Sequence, residues 1–129
     1  MSENMELMGQ IAKSIIESGE LDSFDWREFS LVIGFDEEGD ANETYGYAYL
    51  DGANWEAISV FPRVVRPSAT AYREWLRGEG ERGMIKMLFQ FNRVTRKVNA
   101  DFEYDNPRRW QVTPKNIDKI VEELRPNLW

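Results

Sequence analysis

The chain has 129 residues, enough for one domain with its own core. Its 42% hydrophobic and 30% charged residues belong to a folded globular protein, not a disordered one. It has no cysteine and no histidine, which removes disulfides, thiolate metal sites and the Ser–His and Cys–His nucleophile systems, and leaves carboxylates, Lys, Tyr and hydroxyls for any chemistry.

The formal charge of −7 is unevenly spread: residues 1–61 sum to −12 and residues 62–129 to +5. A nucleic-acid binder needs a basic footprint, so no direct nucleic-acid contact is expected, and the acidic half points to a basic partner or to pairing with the chain's own second half. The acidic start, Ser2-Glu3-Asn4-Met5-Glu6, lacks the basic region and apolar run of a signal peptide. No stretch approaches the run of about 18 apolar residues that spans a membrane. A cytoplasmic protein without a membrane partner is expected.

Along the chain, Leu7, Met8, Ile11, Ala12, Ile15 and Ile16 recur at helical spacing, and Gly19 is placed to end that helix. Trp26 to Phe35 reads as a strand with Phe29, Leu31, Ile33 and Phe35 on one face. Turn residues 36–42 lead to a second strand from about Glu43 to Leu50 carrying Tyr45, Tyr47 and Tyr49. Asp51-Gly52 then turns the chain into a third strand, Trp55 to Phe61. Pro67 to Arg77 reads as a helix capped by Ser68. A second hairpin alternates Ile85, Met87, Phe89 and Phe91, then Val98, Ala100, Phe102 and Tyr104. Its other face is polar, with Lys86, Gln90 and Asn92 opposite Asn99, Asp101, Glu103 and Asp105. Thr113-Pro114 opens a final helix to about Leu124. The expected architecture is α+β, a single domain over 1–129 in the order α-β-β-β-α-β-β-α, with a five-stranded antiparallel sheet and helices packed on one face.

Several segments imitate functional motifs. Gly78-Glu79-Gly80-Glu81-Arg82-Gly83 matches the spacing of a dinucleotide loop, but a helix precedes it and a strand follows, the reverse of what pyrophosphate binding needs. Asp36, Glu38, Asp40 and Asn42 alternate oxygen ligands as a calcium loop does, yet the sixth and twelfth positions are Ala41 and Tyr47 where Gly and Glu are required. Asp101, Glu103 and Asp105 share a strand face at a spacing open to carboxylate chemistry, but any half-buried strand displays polar residues this way, and a solvated face is the expectation. Arg108-Arg109-Trp110 suits stacking on nucleic acid or pairing with the chain's own acids. No metal and no cofactor is implied. The tyrosine stripe allows two readings, core packing or an aromatic binding surface rimmed by acids.

Met84-Ile85-Lys86-Met87-Leu88-Phe89-Gln90-Phe91, a polar turn, and Ala100-Asp101-Phe102-Glu103-Tyr104-Asp105 resemble the YezG-type immunity protein family. Asp25-Trp26, Tyr47-Ala48-Tyr49 with Gly52 and Trp55, and the helix built on Ile11, Ile15 and Ile16 are similar to it as well. The resemblance implies a bacterial antitoxin, a non-catalytic acidic protein that binds and neutralises a cognate toxin, often a nuclease. The glycine-rich 78–83 loop departs from the family. The partner-binding residues expected on charge and aromaticity are Asp36, Glu37, Glu38, Asp40, Tyr45 and Tyr47, with the protein a monomer or weak homodimer. Two other readings stand beside it, a small carboxylate-dependent hydrolase and an adaptor or oligomerisation module.

Overall fold

The computed structural model describes residues 2–78 and 80–129. Helix α1 (Glu3–Glu17) starts where Ser2 Oγ accepts from the Met5 amide at 3.2 Å, and Glu3 and Glu6 favour the positive end of its dipole. It buries Met8, Ile11, Ala12 and Ile15. Strands β1 (Glu28–Phe35), β2 (Ala41–Tyr49), β3 (Trp55–Ile58), β4 (Lys86–Asn92) and β5 (Val98–Glu103) form one antiparallel sheet in the order β3-β2-β1-β4-β5. With α2 (Pro62–Leu76) between β3 and β4, and α3 (Ile117–Glu123) last, the element order and the sheet are those the sequence patterning requires.

β1 lies at the centre, and every one of its residues is buried. Phe29, Leu31 and Ile33 face α1 and α2 together with Met87, Phe89 and Phe91 of β4, forming the larger core. Gly46 of β2 sits opposite Leu31, so close to the neighbouring strand that a Cβ there would collide with the Ser30 carbonyl.

Four expectations are corrected by packing. Helix α2 begins at Pro62, not at Pro67: Pro62 occupies the first turn, where no N–H is needed, and the early turn buries Val65 on the sheet. Pro67 lies inside the helix, forgoing a bond to the Arg63 carbonyl. Ser68, expected to cap, bonds back to the Val65 carbonyl at 3.2 Å and meets Ser14 Oγ at 3.1 Å. β3 stops at Ile58 because Thr44 Oγ1 takes over, accepting from the Val60 amide at 2.9 Å and donating to the Val60 carbonyl. Before α3, Thr113 and Asn116 exchange side-chain-to-amide bonds of 2.7 and 3.3 Å in a reciprocal turn, and the regular helix starts only at Ile117.

The fourth correction concerns the layers. Only α1 and α2 lie on the first face; α3 and the segment around it cover the second. There Val32, Tyr47, Tyr49 and Leu88 meet Trp110, Ile120, Val121 and Leu124 in a separate core. The polar face of β4 is therefore not solvated, and Lys86, Gln90 and Asn92 are all buried. Replacing Leu124, fully buried at the centre of this second core, by Ala is expected to cost about 2–5 kcal/mol, read from urea unfolding midpoints.

Candidate functional site

The expected acidic residues cluster at the β1–β2 turn, which is a built structure. Asp36 Oδ1 accepts from the Glu38 amide at 2.9 Å and the Asp40 amide at 3.0 Å, so this carboxylate shapes the turn. Gly39 takes φ +87° and packs on the Arg73 guanidinium; a Cβ there would fall 2.5 Å from Arg73 Nη1. Arg73 itself donates from Nε to the Met84 carbonyl at 2.8 Å and lies over the Phe35 ring. The turn is thus braced from below, with Glu37 and Glu38 exposed at its crest and Asp36 and Asp40 half-buried.

The two tyrosines are placed differently. Tyr45 is half-buried and donates to the Trp110 carbonyl at 2.9 Å. Burial, reinforced by the charge of Glu43, pushes its hydroxyl up to about 12, so at neutral pH it stays a donor. Tyr47 is 3% exposed and meets Trp55 edge to face with ring centroids 5.2 Å apart. It is core, not an exposed anchor, which corrects its expected place on a free binding surface. Both rings line a cleft of 820 Å³ between the second face of the sheet and the segment that follows β5, with Gly34, Lys86, Val112 and Ile117 among its other walls.

The remaining candidates are absorbed by the fold. Glu103 accepts from the Asn106 amide at 2.9 Å, the Asp105 amide at 3.0 Å and Arg109 Nη1 at 3.1 Å, and these bonds, the amides first, pull its carboxyl down to about 2. Arg109 meets the chain's own acid and lies 4.3 Å over the Trp110 ring. Asp105 pairs with Arg82. Glu79 of the glycine-rich loop lies outside the described residues. Gly83 packs on Arg73, close enough that a Cβ would stand 2.5 Å from its Cζ. Among the described residues no three acidic side chains converge as a metal site would need.

Sequence reasoning missed two buried charges on the second face. Lys86 is 8% exposed and donates to the Arg109 carbonyl at 3.2 Å and the Tyr45 hydroxyl at 3.5 Å. Glu28 is 4% exposed and accepts from Asn92 Nδ2 at 3.3 Å. Its burial raises its carboxyl above the usual range, partly offset by Asn92, Trp129 and Arg125. Alternation alone gives both as solvated; only the covering segment reverses that. A two-carboxylate hydrolase calls for a buried pair, and among the described residues Glu28 is the only carboxylate buried to this degree.

The ion pairs respect the division of charge. Arg27–Asp51 lies within residues 1–61, while Arg73–Glu74, Arg77–Glu74, Arg82–Asp105, Arg109–Glu103 and Arg125–Glu122 lie within residues 62–129. Among the described residues no ion pair joins the halves, and none engages Asp36, Glu37, Glu38, Asp40 or Glu43. No protein-family model matches this chain, and a search of curated proteins finds no similar sequence.

Because the fold holds the Glu28 proton more tightly than the unfolded chain does, this residue's contribution to stability is complete below the ordinary carboxyl range and is lost as pH rises through the raised value. The Glu28→Gln variant, which keeps an acceptor for Asn92, is therefore expected to gain on the native chain as pH rises from about 4 to about 7, measured by urea midpoints across that range.

Proposed function

We propose that this protein is a bacterial antitoxin of the kind the YezG-type resemblance implies, binding a cognate basic toxin, such as a nuclease, and blocking its active or substrate surface. The observation that carries this reading is the segregation of the ion pairs. An acidic half whose turn carboxylates form no ion pair within 4.0 Å among the described residues, with Arg73 bound to backbone beneath them, keeps much of its field available to an outside partner. All but one of the acids in residues 1–61 are exposed or half-buried, the exception being Glu28. The braced β1–β2 turn adds a second support, because carboxylates held on a fixed turn lose little freedom on binding. Glu37, Glu38 and Asp40 imitate the phosphates of a nuclease substrate and steer the encounter, while Asp36 keeps the turn in shape. Tyr45 and Tyr47 contribute by stiffening β2 beneath the turn.

The direct test is co-expression with the product of the neighbouring upstream gene, scoring rescue of growth and co-purification. Rescue with a stable complex is expected; growth arrest without a complex overturns the reading. Given a complex, the triple charge reversal Glu37→Lys, Glu38→Lys and Asp40→Lys is expected to slow association by about tenfold or more at low salt, with the difference shrinking as salt is raised. Association rates that match the native chain at low salt move the contact away from the turn.

A further inference from the structure

The cleft on the second face has the features of a ligand site in its own right. Its 820 Å³ lies within the range of about 300–1,000 Å³ typical of small-molecule pockets. Strand register explains why it is hollow. Glu43, Gly34 and Lys86 lie abreast on β2, β1 and β4, so the middle of that row has no side chain of its own, and Glu43 leans over it with Oε2 2.9 Å from where a Gly34 Cβ would stand. Ile58, Ile85, Val112 and Ile117 give it apolar walls.

Two polar groups there can take a further partner. Lys86, over nine-tenths buried, lines the cleft with two neutral oxygens as partners and no carboxylate within 4.0 Å among the described residues. Its cross-strand neighbour Glu103 is committed to Arg109 and two backbone amides, and Glu43, whose carboxylate lies over Gly34, forms no ion pair with it within 4.0 Å. A buried ammonium without a counter-charge is costly, and an anion that completes its shell relieves that cost. The Tyr47 hydroxyl, also on the lining, donates to no protein group among the described residues and is open to the cleft. Beside the cleft, Trp110 is held at φ +63°, a conformation that bulky residues rarely adopt, by burial of its ring and by the Tyr45 bond to its carbonyl.

We propose that this cleft binds a small organic acid, an apolar body ending in a carboxylate, with the Lys86 ammonium as the charge partner and the Tyr47 hydroxyl as a second donor. The site is independent of the toxin reading, since it uses Lys86 and Tyr47 and not the exposed carboxylates of the β1–β2 turn.

The test uses 3-phenylpropionate and its neutral isostere 3-phenylpropanamide, followed by backbone amide shifts on the full chain. The acid is expected to shift the Gly34, Gly46 and Lys86 amides and to bind at least about tenfold more tightly than the amide. Lys86→Met should erase that difference, Tyr47→Phe should weaken the acid alone, and Glu43→Gln should strengthen the acid by removing a repelling charge. A lysine that only props up the Arg109 carbonyl would give none of these signed effects. Equal affinity for acid and amide, or shifts confined to residues outside the cleft, overturns the proposal. Should Lys86→Met lose its dispersed spectrum, the acid–amide comparison on the native chain and the Tyr47→Phe variant decide.

Discussion

The structure depends on a match between donors on the second face of the sheet and carbonyls of the chain after β5. That segment has one short helix and otherwise little regular structure, so its buried carbonyls need partners from elsewhere. The sheet supplies them. Tyr45 reaches the Trp110 carbonyl and Lys86 that of Arg109. Tyr49 donates to the Val121 carbonyl at 2.7 Å, and Ser30 and Gln90 converge on that of Leu124, Gln90 at 2.9 Å. Thr95, in the β4–β5 turn, donates to the Leu128 carbonyl at 2.7 Å. Polar residues on a buried strand face would be a liability by themselves; here most satisfy backbone that would otherwise be stranded, Glu28 pairs with Asn92, and the apolar residues among them fill the space between. The cleft is where this match is incomplete, at the end of the face where Gly34 supplies no side chain.

The first face follows a simpler rule. Its strands alternate apolar residues toward α1 and α2, and no polar network is needed. What links this layer to the acidic turn is Arg73, a residue of α2 that packs under Gly39 and Gly83 and reaches the Met84 carbonyl. A single guanidinium thus ties the helix, the β1–β2 turn and the loop entering β4. This explains how a turn crowded with like charges stays in one conformation.

Much of this was legible in the residues themselves. Period-two alternation located all five strands, and Asp51-Gly52 and the glycines after α2 located turns. The element order follows from those signals because each is local. What escaped was the role of partners distant in sequence. Lys86, Gln90 and Asn92 look like a solvated strand face until the segment around Trp110 and Leu124 is laid over them. Pro67 looks like a helix start because the gain from burying Val65, which moves the start to Pro62, is a tertiary term. The tyrosine stripe was ambiguous for the same reason: Tyr49 and Tyr47 are core only because Ile120, Val121 and Leu124 return to cover them. The exposed acids of the β1–β2 turn were found by composition, and the bracing that fixes them was not, since Arg73 lies far along the chain from Gly39.

The order β3-β2-β1-β4-β5 also sorts charge across the sheet. The three strands on one side come from the acidic half of the chain and the two on the other from the basic half, with successive strands about 4.8 Å apart. The β1–β2 turn carries Glu37 and Glu38, whereas the β4–β5 turn carries Arg93, Arg96 and Lys97. Because β1 and β4 run antiparallel, with Glu28 opposite Asn92 and Gly34 opposite Lys86, these two turns lie at opposite ends of the strands, and the charge difference between them runs along the strand direction as an electric dipole. In the field of a charged body such a dipole experiences a torque before any surface touches. The protein is therefore rotated as well as attracted, and a cationic surface meets the end of the sheet that carries the β1–β2 turn first.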